Sequence, residues 1–205
     1  MQNHVTLIDA GTGNLRSVFK ALESLGAQVL LTNDPSQVAQ AGKVVLPGVG
    51  AFGDFMKGLR QRGLEAPLLE VHRRGNPLLG ICVGMQAFFE VGRELGSHRG
   101  LGLLEGQVVH FPAFEELKIP HTGWNQLWLQ SSSSLLDDIA PGAYAYFNHS
   151  YYCAAGQSGH VLAHTDYGIN FASVVQSGNL YGVQFHPEKS QRVGLQILTN
   201  FLLYA

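Results

Sequence analysis

Cys82 lies in the run Leu78-Leu79-Gly80-Ile81-Cys82-Val83-Gly84-Met85-Gln86. Apolar residues of the kind found in a buried strand precede it, and a helical run follows. G-x-C-x-G at that junction predicts the strand–turn–helix elbow with which G-x-S-x-G hydrolases lift a nucleophile above a sheet edge. So sharp a turn needs flanks without bulk, and Gly80 and Gly84 supply them. The elbow places the sulfur at a helix N-terminus, where the positive end of the macrodipole favours thiolate. It also aims the Val83 N–H at the place where an oxyanion would form. A free cysteine in a glycine-rich turn is by default buried and inert; the strand and helix around Cys82 argue otherwise. Cys153, in Tyr151-Tyr152-Cys153-Ala154, has no such setting and reads as structural.

A thiolate nucleophile needs a proton-transfer partner, and the partner needs an orienter. Of nine histidines, His186 follows the strand-like Gly182-Val183-Gln184-Phe185 and precedes Pro187-Glu188. Proline at 187 restricts His186 to extended geometry. In an extended segment, side chains two apart leave on the same side, which puts Glu188 beside the imidazole. A carboxylate there fixes the tautomer through one ring nitrogen and leaves the other for sulfur. A metal centre fails on ligand count, with no C-x-x-C and no H-E-x-x-H; His160 and His164 have i, i+4 spacing but lie in a strand-like stretch. A dinucleotide fingerprint fails too, because Arg16 stands where Gly11-Thr12-Gly13 would need a third glycine. Neither metal nor cofactor is expected.

Those residues need a scaffold that brings positions 82 and 186 together. In the first half, strand-like Val5–Ile8, Gln28–Leu31, Lys43–Leu46 (ended by Pro47-Gly48) and Pro77–Ile81 alternate with helical patterns at 15–25 and Leu64–Arg74. That alternation predicts α/β architecture: a mostly parallel central sheet with helices on both faces. The second half reads as hairpins: Gly106–Phe111, Gln126–Leu129, Ala143–Phe147, Val161–Thr165, Phe171–Gln176 and Leu180–Phe185, then a closing helix around Val193, Ile197, Phe201 and Leu202. This antiparallel β extension belongs to the same single domain, 1–205. Ser131–Ser134 reads as a solvated loop.

Thirteen Lys plus Arg against fifteen Asp plus Glu give a net charge of −2, so no basic surplus exists for a nucleic-acid backbone. Two cysteines are too few for a disulfide framework. No apolar run is long enough to span a membrane. A soluble protein of a reducing cytoplasm is the expectation.

The segments 80–86 and 182–188 resemble the two signatures of the triad (class I) glutamine amidotransferases, whose architecture is flavodoxin-like. Five further segments narrow the resemblance: Gly13-Asn14-Leu15-Arg16-Ser17-Val18, Leu46-Pro47-Gly48-Val49-Gly50-Ala51-Phe52-Gly53, Pro120-His121-Thr122-Gly123-Trp124-Asn125, His149-Ser150-Tyr151-Tyr152 and Glu188-Lys189-Ser190. Together they are similar to the glutaminase subunits of imidazole glycerol phosphate synthases, over residues 5–203.

The resemblance implies hydrolysis of L-glutamine to glutamate and ammonia by a Cys82–His186–Glu188 triad. It implies a heterodimer with a (β/α)8-barrel cyclase that receives the ammonia. The second oxyanion donor would come from the Gly48–Gly50 segment, most directly the Val49 N–H, with Gly50 easing its reorientation. This peptide would be misaligned until the partner's site is occupied. Gly48, Gln86, His149, Ser150 and Tyr151 would bind substrate, and Asn14, Arg16, Trp124 and Asn125 would face the partner. Ala10, Asn148 and the Ser131–Ser134 loop depart from the family pattern, Ala10 next to the expected interface. Two alternatives stay open on the residues alone: another class I amidotransferase or glutamyl hydrolase, and an inactive glutaminase fold kept as a binding module.

Overall fold

The computed structural model describes residues 4–113 and 117–205. In chain order, β1 (His4–Ile8), α1 (Leu15–Ser24), β2 (Gln28–Thr32), α2 (Pro35–Ala39), β3 (Val44–Gly48), α3 (Phe52–Gln61), α4 (Glu65–Arg73), β4 (Leu78–Cys82) and α5 (Val83–Gln86) form the first half. The second half holds β5 (Phe89–Gly92), β6 (His98–Arg99), β7 (Leu104–His110), β8 (His121–Leu129), β9 (Ala143–His149), β10 (Tyr151–Ala155), β11 (Val161–Asp166), β12 (Asn170–Ser177), β13 (Leu180–Val183) and α6 (Gln191–Tyr204).

A nine-stranded sheet runs β2-β1-β3-β4-β13-β12-β11-β8-β9. From β2 to β13 neighbours are parallel, and from β13 to β9 antiparallel. The antiparallel extension is therefore the other half of the same mixed sheet, joined through β13. A second sheet, β10-β7-β5-β6, packs beside it. Strand β4, next to the central β13, is buried along its whole length and reads Leu-Leu-Gly-Ile-Cys, the continuous apolar run of a strand covered on both faces.

Several elements differ from the sequence expectation. Lys43–Leu46 does not end at Pro47-Gly48; β3 continues through Gly48. Pairing with β1 stops at Val45 while pairing with β4 runs to Cys82. Pro47 thus has a partner strand on one side only, where a missing N–H is tolerated. No element was expected at α2 or α3. Asp34 caps α2 by accepting from Ser36 N–H, with Pro35 at the first helical position. The buried Phe52, Phe55, Met56 and Leu59 of α3 form a helical stripe. Ser133 and Ser134 are not merely solvated: Ser133 Oγ donates to Gln176 and accepts from Leu135 N–H at the start of a 3-10 turn. Ala10 is fully buried, so its departure from the family pattern lies in the core and not on a surface.

The carboxyl ends of β3, β4 and β13 and the loop after β1 lie side by side. In open α/β sheets, ligands bind outside the carboxyl ends of the strands, near the point where strand order reverses. Here that point is between β1 and β3.

Candidate active site

The elbow is built at the end of β4. Cys82 has φ 54° and ψ −112°, a left-handed backbone that costs a non-glycine residue on the order of 1–3 kcal/mol. Both flanking glycines are required by space. A Cβ on Gly84 would sit 1.8 Å from the Leu46 carbonyl oxygen, and one on Gly80 would sit 2.6 Å from Met85 N. The helix after the elbow is shorter than expected. It is the single turn Val83–Gln86, followed directly by β5. Any stabilisation of a thiolate therefore comes from the N–H groups of one turn rather than from a long macrodipole.

His186 Nδ1 lies 3.1 Å from Glu188 Oε1, and both side chains are buried. The expected pair forms, and His186 itself is extended as expected (φ −96°, ψ 99°), but the extended backbone does not continue to Glu188: Pro187–Lys189 is a 3-10 turn that begins just after His186. The turn is anchored on both sides. His186 N–H donates to the Tyr146 carbonyl, while Ser190 Oγ donates to the His186 carbonyl and accepts from Tyr146 N–H. Helix α6 packs against it through Gly194, where a Cβ would meet the Pro187 carbonyl oxygen at 1.9 Å.

Burial alone would discharge the His186 imidazole. Its hydrogen bonds to Cys82 and Glu188, and their negative charge, outweigh that cost and raise its pKa to about 10. With Nδ1 committed to Glu188, Nε2 is the nitrogen left for sulfur. The two residues are far apart in sequence and meet in one crevice because β13 lies beside β4. Gln184 Nε2 donates to Cys82 Sγ at 3.6 Å, and Gln86 Nε2 donates to Gln184 Oε1 at 3.1 Å and to the Tyr151 carbonyl at 3.0 Å.

The crevice above Cys82 encloses about 260 Å³. Val49, Gly50, Val83 and Gln86 line it from the β3 and β4 side, and His149, Ser150 and Tyr151 from the β9–β10 turn. Gly48 does not line it. Gly48 is buried behind the wall, where a Cβ would meet the Phe55 ring at 2.6 Å and Gly84 N at 2.7 Å. Gly50 has φ +87° with open space around its Cβ position. A larger cavity of about 520 Å³, between α3 and the β5–β6 hairpin, shares only Glu94 with the crevice and is lined by no cysteine.

The four residues expected to face a partner separate. Arg16 is exposed on α1. Trp124 is half-exposed, edge-on to Tyr146, at a ring distance of 6.0 Å. Asn125 commits its amide to its own chain, donating to the Asp166 carbonyl at 2.8 Å. Asn14 lines the crevice, and its Nδ2 donates to Glu188 Oε1 at 3.2 Å.

Sequence reading missed two charged residues in the crevice. Glu94 reaches it from beyond β5 and accepts from Phe52 N–H at 2.7 Å. Lys189 sits on its rim with Nζ 5.7 Å from the Tyr146 ring centroid. For Lys189, adjacency to Glu188 was an available signal; for Glu94 there was none. Among the described residues, no group of three His, Cys, Asp or Glu side chains could hold a metal ion, and no helix is long and apolar enough to cross a membrane.

The sequence profile of the family "Glutamine amidotransferase class-I" matches residues 6–205. The "Imidazole glycerol phosphate synthase subunit HisH" of Salinibacter ruber is 50% identical over 201 residues, covering 96% of this chain and 92% of that one. The subunit of the same name from Geobacter metallireducens is 48% identical, covering 97% of each. Among solved structures, PurLQS from Thermotoga maritima superposes with a TM-score of 0.77 at 18% identity, covering 100% of this chain and 99% of that one. A structure described as a glutamine amidotransferase gives 0.72 at 21% identity, covering 93% and 94%. These two likenesses support the fold. The chain belongs to the class I glutamine amidotransferases and, within them, to the HisH family of imidazole glycerol phosphate synthase subunits.

Proposed function

We propose that this chain hydrolyses L-glutamine to glutamate and ammonia at Cys82 and delivers the ammonia to a (β/α)8-barrel cyclase subunit in the cytoplasm. The cyclase converts PRFAR to imidazole glycerol phosphate and AICAR, a step of histidine biosynthesis. The observation that carries the reading is the buried Cys82–His186–Glu188 arrangement at the floor of a crevice sized for one amino acid.

Cys82 Sγ, as thiolate, attacks the side-chain carbonyl carbon of glutamine. The C–O π electrons move onto oxygen, and the oxyanion is met by the N–H groups of Val83 and Val49. His186, an imidazolium, gives its Nε2 proton to the departing amine. The C–N bond breaks, ammonia leaves, and a thioester remains. Water then adds to the thioester with His186 taking its proton, and collapse releases glutamate and the thiolate. Glu188 holds the imidazolium through Nδ1, and Asn14 holds Glu188. Glu94 supplies a carboxylate for the substrate α-ammonium. Gln86, His149, Ser150 and Tyr151 form the wall for its polar end.

With Gly50 uncrowded, the Val49–Gly50 peptide is free to reorient. Losing one oxyanion donor costs about 10²–10³ in rate, so this peptide is suited to keep the unpartnered chain slow.

The test is to mix the chain with the barrel cyclase and follow imidazole glycerol phosphate formed from glutamine or from added ammonia. Cys82→Ser should abolish the glutamine-dependent reaction and leave the ammonia-dependent one intact. A wild-type mixture that uses ammonia but never glutamine overturns the reading.

A further inference from the structure

Asn125, His121, His149 and Tyr151 are joined by hydrogen bonds that run in one direction. The Tyr151 carbonyl only accepts, so His149 Nδ1, at 2.7 Å, carries a proton. Burial holds His149 neutral, with a pKa of about 3; its bond to the Tyr151 carbonyl opposes this, and the charges of His121 and His186 add to it. His149 Nε2 must therefore accept, and the atom facing it at 3.2 Å is His121 Nδ1, which must donate. His121 is also kept neutral by burial, at about 4, so its Nε2 accepts in turn from Asn125 Nδ2 at 3.3 Å. The Asn125 amide is fixed in that orientation, because the same nitrogen donates to the Asp166 carbonyl while its oxygen accepts from Gln126 N–H. Both histidines are thereby confined to the Nδ1–H tautomer, the minor one for a free neutral imidazole. The His121 ring is clamped between Tyr167, stacked at 4.0 Å, and Phe147, stacked at 4.8 Å.

The chain ends on crevice machinery. The Tyr151 carbonyl also accepts from Gln86 Nε2, and Gln86 orients Gln184, whose amide touches the Cys82 sulfur. His121 touches neither the crevice nor the triad. It determines which way His149 points its proton, and so whether the Tyr151 carbonyl is held.

We propose that His121 is a positioning residue for glutamine: by donating to His149 it fixes the 149–151 wall and, through the Tyr151 carbonyl, Gln86. This rests on the glutaminase reading above.

The experiment has a spectroscopic and a kinetic arm. Long-range ¹H–¹⁵N correlation spectra of the full chain are expected to show Nδ1–H tautomers for both His121 and His149. In the complex with the barrel cyclase, His121→Phe keeps a stacked ring but loses the donor. It should raise KM for glutamine about tenfold, the scale of one lost hydrogen bond, with kcat within about threefold. His121→Asn restores an N–H near the position of Nδ1 and should bring KM back to within about threefold of wild type. An Nε2–H tautomer at either ring overturns the proposal. So does an unchanged KM in His121→Phe, or equal impairment of the two variants, which would mark a packing role alone. Should His121→Phe fail to fold, the tautomers and His121→Asn decide. A wild-type complex that turns over no glutamine overturns the glutaminase reading itself; the other failures leave that reading standing.

Discussion

Asn14 Nδ2 donates to Glu188 Oε1 across 3.2 Å of space and 174 residues of chain. Asn14 occupies the cap position of α1, where asparagine usually spends its side chain on the helix's own N–H groups. Here it makes no such bond. The side chain goes instead to a fully buried carboxylate whose second oxygen, Oε2, has no hydrogen-bond partner. Asn14 therefore ties the loop after β1, next to exposed Arg16, to the carboxylate proposed to orient His186.

Removing this bond should loosen Glu188 and with it His186. Asn14→Ala is expected to lower kcat of the complex about ten- to a hundredfold with little change in KM, as a charge-assisted hydrogen bond of about 1.5–3 kcal/mol would give. Asn14→Asp should be worse, since it sets a second negative charge against a buried one. Steady-state glutaminase kinetics decide; an unaltered kcat in Asn14→Ala would show that the bond is idle.

The elbow is equally specific about space. Gly84→Ala would drive a Cβ into the Leu46 carbonyl at 1.8 Å, and backbone cannot swing away as a flexible side chain can. Strand β3, which leads into Val49, must shift, so a loss of about 2–3 kcal/mol is expected. Gly42→Ala, where a Cβ meets nothing within 4 Å, should change stability by less than about 0.5 kcal/mol. Urea denaturation of both variants is the measurement, and equal midpoints would refute the steric argument.

What could be read from sequence was what local spacing encodes. Gly80-x-Cys82-x-Gly84 and His186-Pro187-Glu188 carry their geometry within a few residues, and the parallel strands announce themselves as apolar runs. The partnerships that complete the site do not. Asn14 with Glu188, and His121 with His149, are set by strand order and register, for which no short pattern exists. His121 and His149 face each other because β8 and β9 pair in that register. At His186 the extended backbone was legible from Pro187, but the 3-10 turn that follows was not, and the pairing was read correctly because a turn and an extended segment can both bring positions i and i+2 together. Helix α3 escaped because Gly53 and Gly58 dilute its apolar stripe, whereas β3 outran Pro47 because its β1 neighbour had already ended.

Lys43 closes the far end of the molecule. Its Nζ donates to the carbonyls of Phe201 at 2.9 Å and Leu202 at 2.6 Å, in the last turn of α6, and lies 5.4 Å from the Phe201 ring centroid. Partial burial lowers its pKa. Lys43→Met preserves the stem and strips the charge from the carbonyls at the helix C-terminus, where a cation is favourable. A loss of about 1.5–3 kcal/mol is expected, with faster hydrogen exchange confined to 199–204. Exchange rates there equal to wild type would mean the helix end holds itself.

The paired histidines make stability sensitive to acid. His149 at about 3 and His121 at about 4 are both held below their ordinary value, chiefly by burial. In the unfolded chain each takes a proton near pH 6.5, whereas the folded chain refuses it until well below. The unfolded state therefore binds more protons through that window, and stability falls as pH drops from about 6.5 towards 4. Below both folded values no further loss arises from this pair. His186 behaves oppositely: its raised pKa of about 10 contributes fully below about 6.5 and is lost only as pH climbs towards 10, so it cannot cause the acid decline. Replacing His121 with Phe removes one of the two titrating groups and, by emptying a donor position, frees His149 to relax. Urea midpoints at pH 7, 6, 5 and 4.5 should accordingly decline less steeply in His121→Phe than in wild type, even though the variant starts lower at pH 7. Parallel declines in the two proteins would place the acid sensitivity elsewhere in the molecule.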